Sequence, residues 1–106
     1  MSSPEIREAA DIANALSAAM ESGGLLLDES RLGETFFDLR SGLAGEVLQK
    51  FTNYRVRLAI VVADATAYGP RFSEWVYEHR AHSAVRFFAT EQLARQWLAY
   101  NPVARC

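Results

Sequence analysis

Hydrophobic residues follow a helical pattern and then a strand-like pattern between residues 36 and 62. In the first part, apolar residues recur at the spacing of one face of a helix. On this face lie Leu43, Val47, Leu48 and Phe51. The run 56–62 that follows is almost entirely apolar and rich in β-branched residues, which is typical of a strand covered on both faces. The segment therefore predicts a helix followed by a buried strand.

The same two patterns predict the elements that precede this segment. Apolar residues at helical spacing predict a first helix of about five turns, with Ser3 as its cap, Pro4 as its first residue and the Gly23–Gly24 pair at its end. Its apolar face carries Ile6, Ala9, Ile12, Ala13, Leu16 and Met20. The short apolar run 25–27, which Asp28 ends, predicts a strand over 25–28.

Residues 36–39 fit either a short helical turn or the start of one helix that continues to Thr52. Glycines 42 and 45 each disfavour a continuous helix by about 1 kcal/mol relative to alanine. We therefore expect a break near Ser41.

The second half of the chain repeats the alternation. After a connection over 64–70, we predict a third helix, a strand over 84–89, and a final helix that Thr90 caps and Asn101–Pro102 ends. The third helix turns Phe72, Trp75, Val76 and His79 to one side, and the last helix turns Leu93, Trp97 and Leu98 inward. The order αβαβαβα predicts one α/β domain over residues 1–106, with a mostly parallel sheet of about three strands and helices packed on it.

Composition and charge argue against several kinds of partner. The net charge is −2 and no basic stripe is present, which argues against a nucleic-acid partner. No apolar run is long enough to cross a bilayer and no targeting segment is visible, so we expect a cytoplasmic protein without a membrane partner. Cys106 is the only cysteine and cannot form an internal disulfide. We expect no cofactor.

Ser41 is the first candidate site residue. A serine at the start of a helix can accept a hydrogen bond from a free backbone N–H of the first turn. A phosphate on the same hydroxyl would meet those donors and the positive end of the helix dipole. The sequence alone leaves both roles open, a cap and a phosphoacceptor.

Asp28 and Asp64 form a second candidate site, because each follows a predicted apolar strand. The carboxyl edge of a parallel sheet is where open α/β folds bind ligands. Two carboxylates there can hold a magnesium ion and, through it, a phosphorylated substrate. Aspartates in this position also cap the following turn, which is the alternative interpretation.

Two further clusters offer weaker indications. His79 and His82 are spaced as two metal ligands can be, yet no cysteine or carboxylate pair completes a site, so we predict no metal centre. Asn53, Tyr54 and Arg55 interrupt the helical pattern and are candidates to face a partner. No nucleophile motif is present, which favours a binding role over catalysis.

The block FFDLRSGLAGEVLQKFTNYRVRLAIV (36–61), with YEHR (77–80) and the ending FFAT and EQLARQWL (87–98), resembles the uncharacterised bacterial family named domain of unknown function 4180. A more distant resemblance is to STAS domains, the anti-sigma-factor antagonists. There a strand precedes a serine-glycine-leucine-glycine helix start, to which the segment here is similar, with Ser41 followed by Gly42, Leu43, Ala44 and Gly45. This resemblance implies that a partner kinase phosphorylates Ser41 as a switch.

Both families begin with a strand before the first helix, and only residues 1–3 precede the predicted helix here. An unpaired sheet edge tends to recruit another chain, so we expect a homodimer. Taken together, the sequence predicts a regulatory or protein-interaction module whose partner is a regulator or a second copy. The alternative is a small magnesium- or phosphate-binding protein or phosphohydrolase that uses Asp28 and Asp64.

Overall fold

The structure is a computed structural model and describes residues 4–99. Helices and strands alternate, except that two helices separate the first two strands. The elements are α1 (Ile12–Ser22), β1 (Leu25–Asp28), α2 (Glu34–Phe37), α3 (Leu43–Tyr54), β2 (Leu58–Val61), α4 (Pro70–Glu78), β3 (Val85–Phe88) and α5 (Glu91–Ala99). None of these helices combines the length and the apolarity that a membrane crossing requires.

The three strands form one parallel sheet in the order β1-β2-β3. Leu27 pairs with Ile60, and Ile60 pairs with Phe87. The predicted α/β class, the parallel sheet and all three strands are thereby confirmed. Because the strands are parallel, their carboxyl ends meet at one edge of the sheet.

The two faces of the sheet are covered unequally. Alternate residues of a strand point to opposite faces. Leu27, Ile60 and Val85 belong to the main core, which lies between the sheet and helices α1 to α4. Helix α5 packs across all three strands outside this core, where Ala59 and Ala94 are both fully buried. Small side chains at these positions let the helix approach the sheet closely.

The main core consists of large apolar side chains. Its largest members, each less than 2 % exposed, are Phe36, Phe51, Phe72, Ile6, Leu58, Ile60, Val47 and Val85. Within residues 4–99 no polar or charged residue is buried. The fold is therefore held mainly by the removal of apolar surface from water.

The predicted start of the first helix is wrong. Helix α1 begins at Ile12, after a 3-10 turn, and Pro4 lies in a non-helical segment; Ser3 is outside the described residues. Ile6 is fully buried and forms a parallel bridge with Leu32, with its N–H 2.9 Å from the Arg31 carbonyl oxygen. Burial and pairing of Ile6 outweigh the helix propensity of this segment, which the sequence pattern alone does not show.

The predicted break near Ser41 is confirmed. A 3-10 turn ends at Ser41, and Gly42 adopts a left-handed conformation with φ of 81° before α3 begins. The short helical turn predicted at residues 36–39 corresponds to α2, which begins earlier, at Glu34, and ends at Phe37. At the other end, α3 continues through Tyr54, and the chain turns at Arg55 with φ of 58°.

The predicted inward side of the last helix is wrong for one of its three residues. Leu93 is 49 % exposed, whereas Ala94 is fully buried. Trp97 and Leu98 are half-buried, as an inward position requires. The predicted end at Asn101–Pro102 lies outside the described residues.

Replacing Gly45 with alanine is expected to stabilise the protein by about 0.5–1 kcal/mol, because Gly45 lies within α3 and an added Cβ meets nothing within 4 Å. Replacing Gly42 with alanine also meets no neighbouring atom, yet the left-handed backbone makes it destabilising by about 1–2 kcal/mol. Chemical denaturation of both variants checks the pair. Equal shifts in the same direction would contradict this account of the helix start.

Candidate functional site

A cavity of about 790 Å³ lies at the carboxyl edge of the sheet. Two segments line it: one follows β1, and the other leads from the turn after β2 into α4. We call it the carboxyl-edge pocket, and its lining residues are Glu29, Leu32, Gly33, Glu34, Phe37, Asp38, Leu39, Arg40, Tyr68, Gly69, Pro70, Arg71 and Phe72. Pockets for small molecules typically measure about 300–1,000 Å³. Open α/β folds also bind their ligands at this edge of the sheet.

Aromatic rings form one wall of the carboxyl-edge pocket. The rings of Phe37 and Tyr68 are stacked, with centroids 3.8 Å apart and planes inclined by 6°. Phe72 meets both rings edge-on, at 5.1 and 5.8 Å. Phe37 belongs to α2 and Tyr68 to the turn after β2, so the stack joins the two segments that line the pocket.

Glu29 links the same two segments by hydrogen bonds. One carboxylate oxygen accepts from the Tyr68 hydroxyl, and the other accepts from the Ala63 backbone N–H at 3.1 Å. The hydrogen bond to Glu29, together with burial and the negative charge of this carboxylate, raises the pKa of Tyr68 to about 12. The phenol therefore keeps its proton at neutral pH.

Charged side chains surround the mouth of the pocket. The Arg40 guanidinium bonds both carboxylate oxygens of Asp38, at 3.1 and 3.4 Å, and the hydrogen bonds from Arg40 lower the pKa of Asp38. Glu34 and Arg71 are exposed, and neither forms a side-chain hydrogen bond or ion pair within residues 4–99. These two side chains are available to a bound molecule.

Ser41 lies immediately after the segment that lines the pocket. Its hydroxyl donates to the Thr35 carbonyl oxygen at 2.7 Å and accepts from the Leu43 N–H at 3.1 Å. The side chain is exposed. Gly42 occupies the N-cap position of α3, and the Ser41 hydroxyl precedes it and binds the first N–H of the helix. Of the glycines that follow, Gly42 supplies the turn, and Gly45 is an exposed position in the first part of α3.

Asp28 and Asp64 do not line the pocket. The Asp28 carboxylate accepts from the backbone N–H and the hydroxyl of Ser30 at 3.0 and 2.5 Å. Asp64 accepts in the same way from Thr66, also at 3.0 and 2.5 Å. These hydrogen bonds lower the pKa of both carboxyls. Each aspartate therefore caps the 3-10 turn that follows its strand, as the alternative interpretation of the sequence had it.

The two histidines are oriented by backbone groups. His82 Nδ1 accepts hydrogen bonds from the N–H groups of Ala84 and Val85, at 3.0 and 3.1 Å. His79 Nδ1 donates to the Trp75 carbonyl oxygen at 2.8 Å. With its Nδ1 lone pair in use, neutral His82 carries its proton on Nε2 and offers no free nitrogen to a metal. Nor do three or more His, Cys, Asp or Glu side chains within residues 4–99 form a metal-binding group.

Asn53, Tyr54 and Arg55 are all exposed at the end of α3. Tyr54 has 56 % of its surface accessible. They lie at the amino edge of the sheet, because α3 leads directly into β2. The structure therefore places this predicted partner-facing group at the opposite edge from the carboxyl-edge pocket.

Sequence reasoning missed Glu29, Tyr68 and Arg71 as site residues. Two local signals could have pointed to these positions. Glu29 comes directly after a strand, and Tyr68 precedes a glycine and a proline that begins a helix. The contact between Glu29 and Tyr68 spans 39 positions of the chain. No local pattern predicts such a pairing.

Comparison with known families gives one result. The family model described as domain of unknown function (DUF4180) matches residues 1–98. Neither the curated proteins nor the solved structures contain a match to the chain. The family match covers nearly the whole sequence and includes the segments 36–61 and 77–80 on which the resemblance was based. The chain therefore belongs to the DUF4180 family.

Proposed function

We propose that this domain is a non-catalytic binding module that takes a small organic molecule with an apolar body into the carboxyl-edge pocket. The observation that carries the proposal is the cavity itself, whose volume and aromatic wall match those of small-molecule sites. The stack of Phe37 on Tyr68 offers a flat apolar surface to a ligand.

Binding is favoured over catalysis because four of the titratable groups that line the pocket, those of Glu29, Asp38, Arg40 and Tyr68, are already engaged. Glu29 is hydrogen bonded to Tyr68 and Ala63, and Asp38 is paired with Arg40. A phenol whose pKa is raised to about 12 is a poor general base or nucleophile at neutral pH. These groups are suited to holding a shape rather than to transferring protons.

The position of the pocket in the chain supports a regulatory role as part of this proposal. A ligand that touches both lining segments would hold them together more firmly. One of these segments continues through Ser41 into α3. A bound ligand would therefore change the mobility of the backbone at the start of that helix. We propose that ligand binding, and modification of the exposed Ser41 hydroxyl, act on the same element.

Binding can be tested with 3-phenylpropan-1-ol, a neutral probe with an aromatic body. We expect its titration to shift amide resonances in two-dimensional NMR spectra mainly within residues 29–40 and 68–72. Tyr68→Ala removes one ring of the stack and is expected to weaken binding roughly tenfold, or about 1.4 kcal/mol. The control is Tyr77→Ala. The Tyr77 ring is 64 % exposed, lies near the end of α4 and does not line the pocket.

The dispersion of the same spectra shows whether each variant is folded. Resonance shifts scattered over other surfaces, or no shifts at millimolar probe, would contradict the proposal. Equal losses of binding in Tyr68→Ala and Tyr77→Ala would contradict it as well.

A protein partner is the second candidate, and exposed apolar surface at the amino edge favours it. Met20 and Tyr54 are 50 % and 56 % exposed, and both lie near the ends of helices that lead into strands. Asn53 and Arg55 flank Tyr54. We propose a regulator or a second copy of the chain as the partner at this edge. Native mass spectrometry of the purified chain distinguishes one chain, two chains and a retained partner.

A further inference from the structure

We propose that the ligand of the carboxyl-edge pocket is an organic cation, an ammonium group carried on an apolar body. This inference rests on the proposed function and adds the charge and hydrogen-bonding character of the ligand. Three features of the pocket lining support it: its hydrogen-bond acceptors, its aromatic rings and its balance of charges.

The polar groups that join the two lining segments are acceptors. The single hydroxyl proton of Tyr68 is donated to Glu29, so toward a ligand the phenol oxygen can only accept. The Glu29 carboxylate accepts from two donors and has lone pairs left over. A ligand with N–H donors satisfies both groups, whereas a carboxylate or phosphate would meet them as further acceptors.

The aromatic rings favour the same ligand. The rings of Phe37 and Tyr68 are half-buried and line the pocket, and the buried Phe72 packs edge-on against both, with centroid separations of 3.8 to 5.8 Å within the cluster. The face of an aromatic ring attracts a cation placed over it, most strongly when water is excluded. An ammonium ion with an apolar substituent can use this attraction while its substituent fills the cavity.

The charges of the lining residues also favour a cationic ligand. Three carboxylates and two guanidinium groups line the pocket. Asp38 and Arg40 neutralise one another as an ion pair, which leaves Glu29 and Glu34 against Arg71. The remaining charge is negative, so the pocket attracts a cation. Arg71 is the group that would draw an anion, and the test below measures its influence.

Three probes of matched shape separate the alternatives: 3-phenylpropylamine, 3-phenylpropan-1-ol and 3-phenylpropanoate, which are cationic, neutral and anionic at pH 7. We expect the amine to bind roughly tenfold more tightly than the alcohol, and the carboxylate to bind more weakly than the alcohol. Isothermal titration calorimetry at low and high salt measures the three affinities. Added salt is expected to reduce the advantage of the amine.

Charge-removing variants locate the effect. Glu29→Gln and Glu34→Gln are expected to lower the affinity for the amine several-fold more than they lower the affinity for the alcohol. Arg71→Gln is expected to raise the affinity for the amine. Glu91→Gln is the control, because Glu91 is an exposed carboxylate that pairs with Arg95 on α5 and does not line the pocket.

Each outcome decides one of the two proposals. Tighter binding of the carboxylate than of the amine, or equal affinity for all three probes, overturns the cation inference and leaves the pocket as a binding site. Failure of all three probes to bind counts against the proposed function itself. An amine preference that Glu91→Gln abolishes as strongly as Glu29→Gln also overturns the inference, because the charge would then act from outside the pocket.

Discussion

Replacing Phe36 with alanine is expected to destabilise the protein by about 3–5 kcal/mol, the usual cost of truncating a fully buried phenylalanine. The ring is fully buried and lies within 5.5, 6.4 and 6.5 Å of the rings of Phe37, Phe72 and Phe87, measured between centroids. It therefore connects α2 with α4 and β3. Because small domains have a total stability of about 5–15 kcal/mol, this loss removes a large part of it. Urea denaturation followed by circular dichroism measures the change.

Two further variants keep this prediction testable if the alanine variant does not fold. Phe36→Leu retains most of the volume and is expected to cost less than about 1.5 kcal/mol. Phe88→Ala removes a half-buried ring on the α5 face, 5.7 Å from the Trp97 ring, and is expected to cost less than Phe36→Ala. A smaller loss for Phe36→Ala than for Phe88→Ala would show that the main core lies elsewhere.

Lowering the pH from 8 to 5 is expected to weaken the start of β3 through His82. Burial, followed by the nearby charges of His79 and Arg86, lowers the pKa of His82 below its ordinary value of 6.5. As the pH falls below 6.5, the unfolded chain takes up the proton before the folded chain does. The free energy of unfolding therefore falls with decreasing pH, from 6.5 down through the pKa in the folded state.

The geometry explains why protonation is unfavourable in the folded state. Protonated Nδ1 cannot accept from the backbone N–H groups of Ala84 and Val85, which it binds when neutral. His79 and Arg86 are the charged groups nearest to this imidazole, and Arg86 is also bonded to the His82 carbonyl oxygen at 2.6 Å. Protonation thus removes two hydrogen bonds and places a positive charge on the imidazole beside Arg86.

The matched control is His82→Asn, whose amide oxygen can accept the same hydrogen bonds without titrating. Thermal unfolding at pH 8 and pH 5 is expected to show a smaller pH dependence in this variant than in the original chain. The lowered pKa values of Glu5, Asp28, Asp38 and Asp64, whose ordinary values are 4.5 or 3.8, affect stability only at lower pH. Identical pH dependence in both proteins would show that His82 is not responsible.

The sheet could be predicted from the sequence because its signals are local. Each strand is a short apolar run with polar or glycine residues at its ends, and β2 is buried on both faces as its composition indicated. The break before α3 was also local, since Gly42 adopts a backbone conformation that other residues rarely take. In both cases the residues that determine the structure lie next to one another in the chain.

The errors arose where distant contacts decide the structure. Residues 4–8 have a helix-compatible pattern, but Ile6 pairs with Leu32 and is buried by the rest of the fold. In α5, close packing on the sheet selects the small Ala94 for the buried position and leaves Leu93 outside. Hydrophobicity alone favours the opposite assignment.

The candidate site was only partly predictable for the same reason. The carboxyl edge was proposed as the place for a ligand, and the cavity lies there, but Asp28 and Asp64 cap turns beside it. The residues that form the pocket come together only when the segments after β1 and β2 meet. Ser41 was visible in the sequence as a residue at a helix start because that signal is local, whereas no local pattern indicates that it adjoins a cavity.

The strand order has a consequence for synthesis on the ribosome. Because β1, β2 and β3 are neighbours in the sheet in the order in which they are translated, the first parallel pair and its helices can form before β3 emerges. Until α4 and β3 have been made, Phe36 lacks the covering rings of Phe72 and Phe87. A chain that has not yet been extended through β3 therefore leaves part of the Phe36 ring uncovered, where a chaperone could bind it.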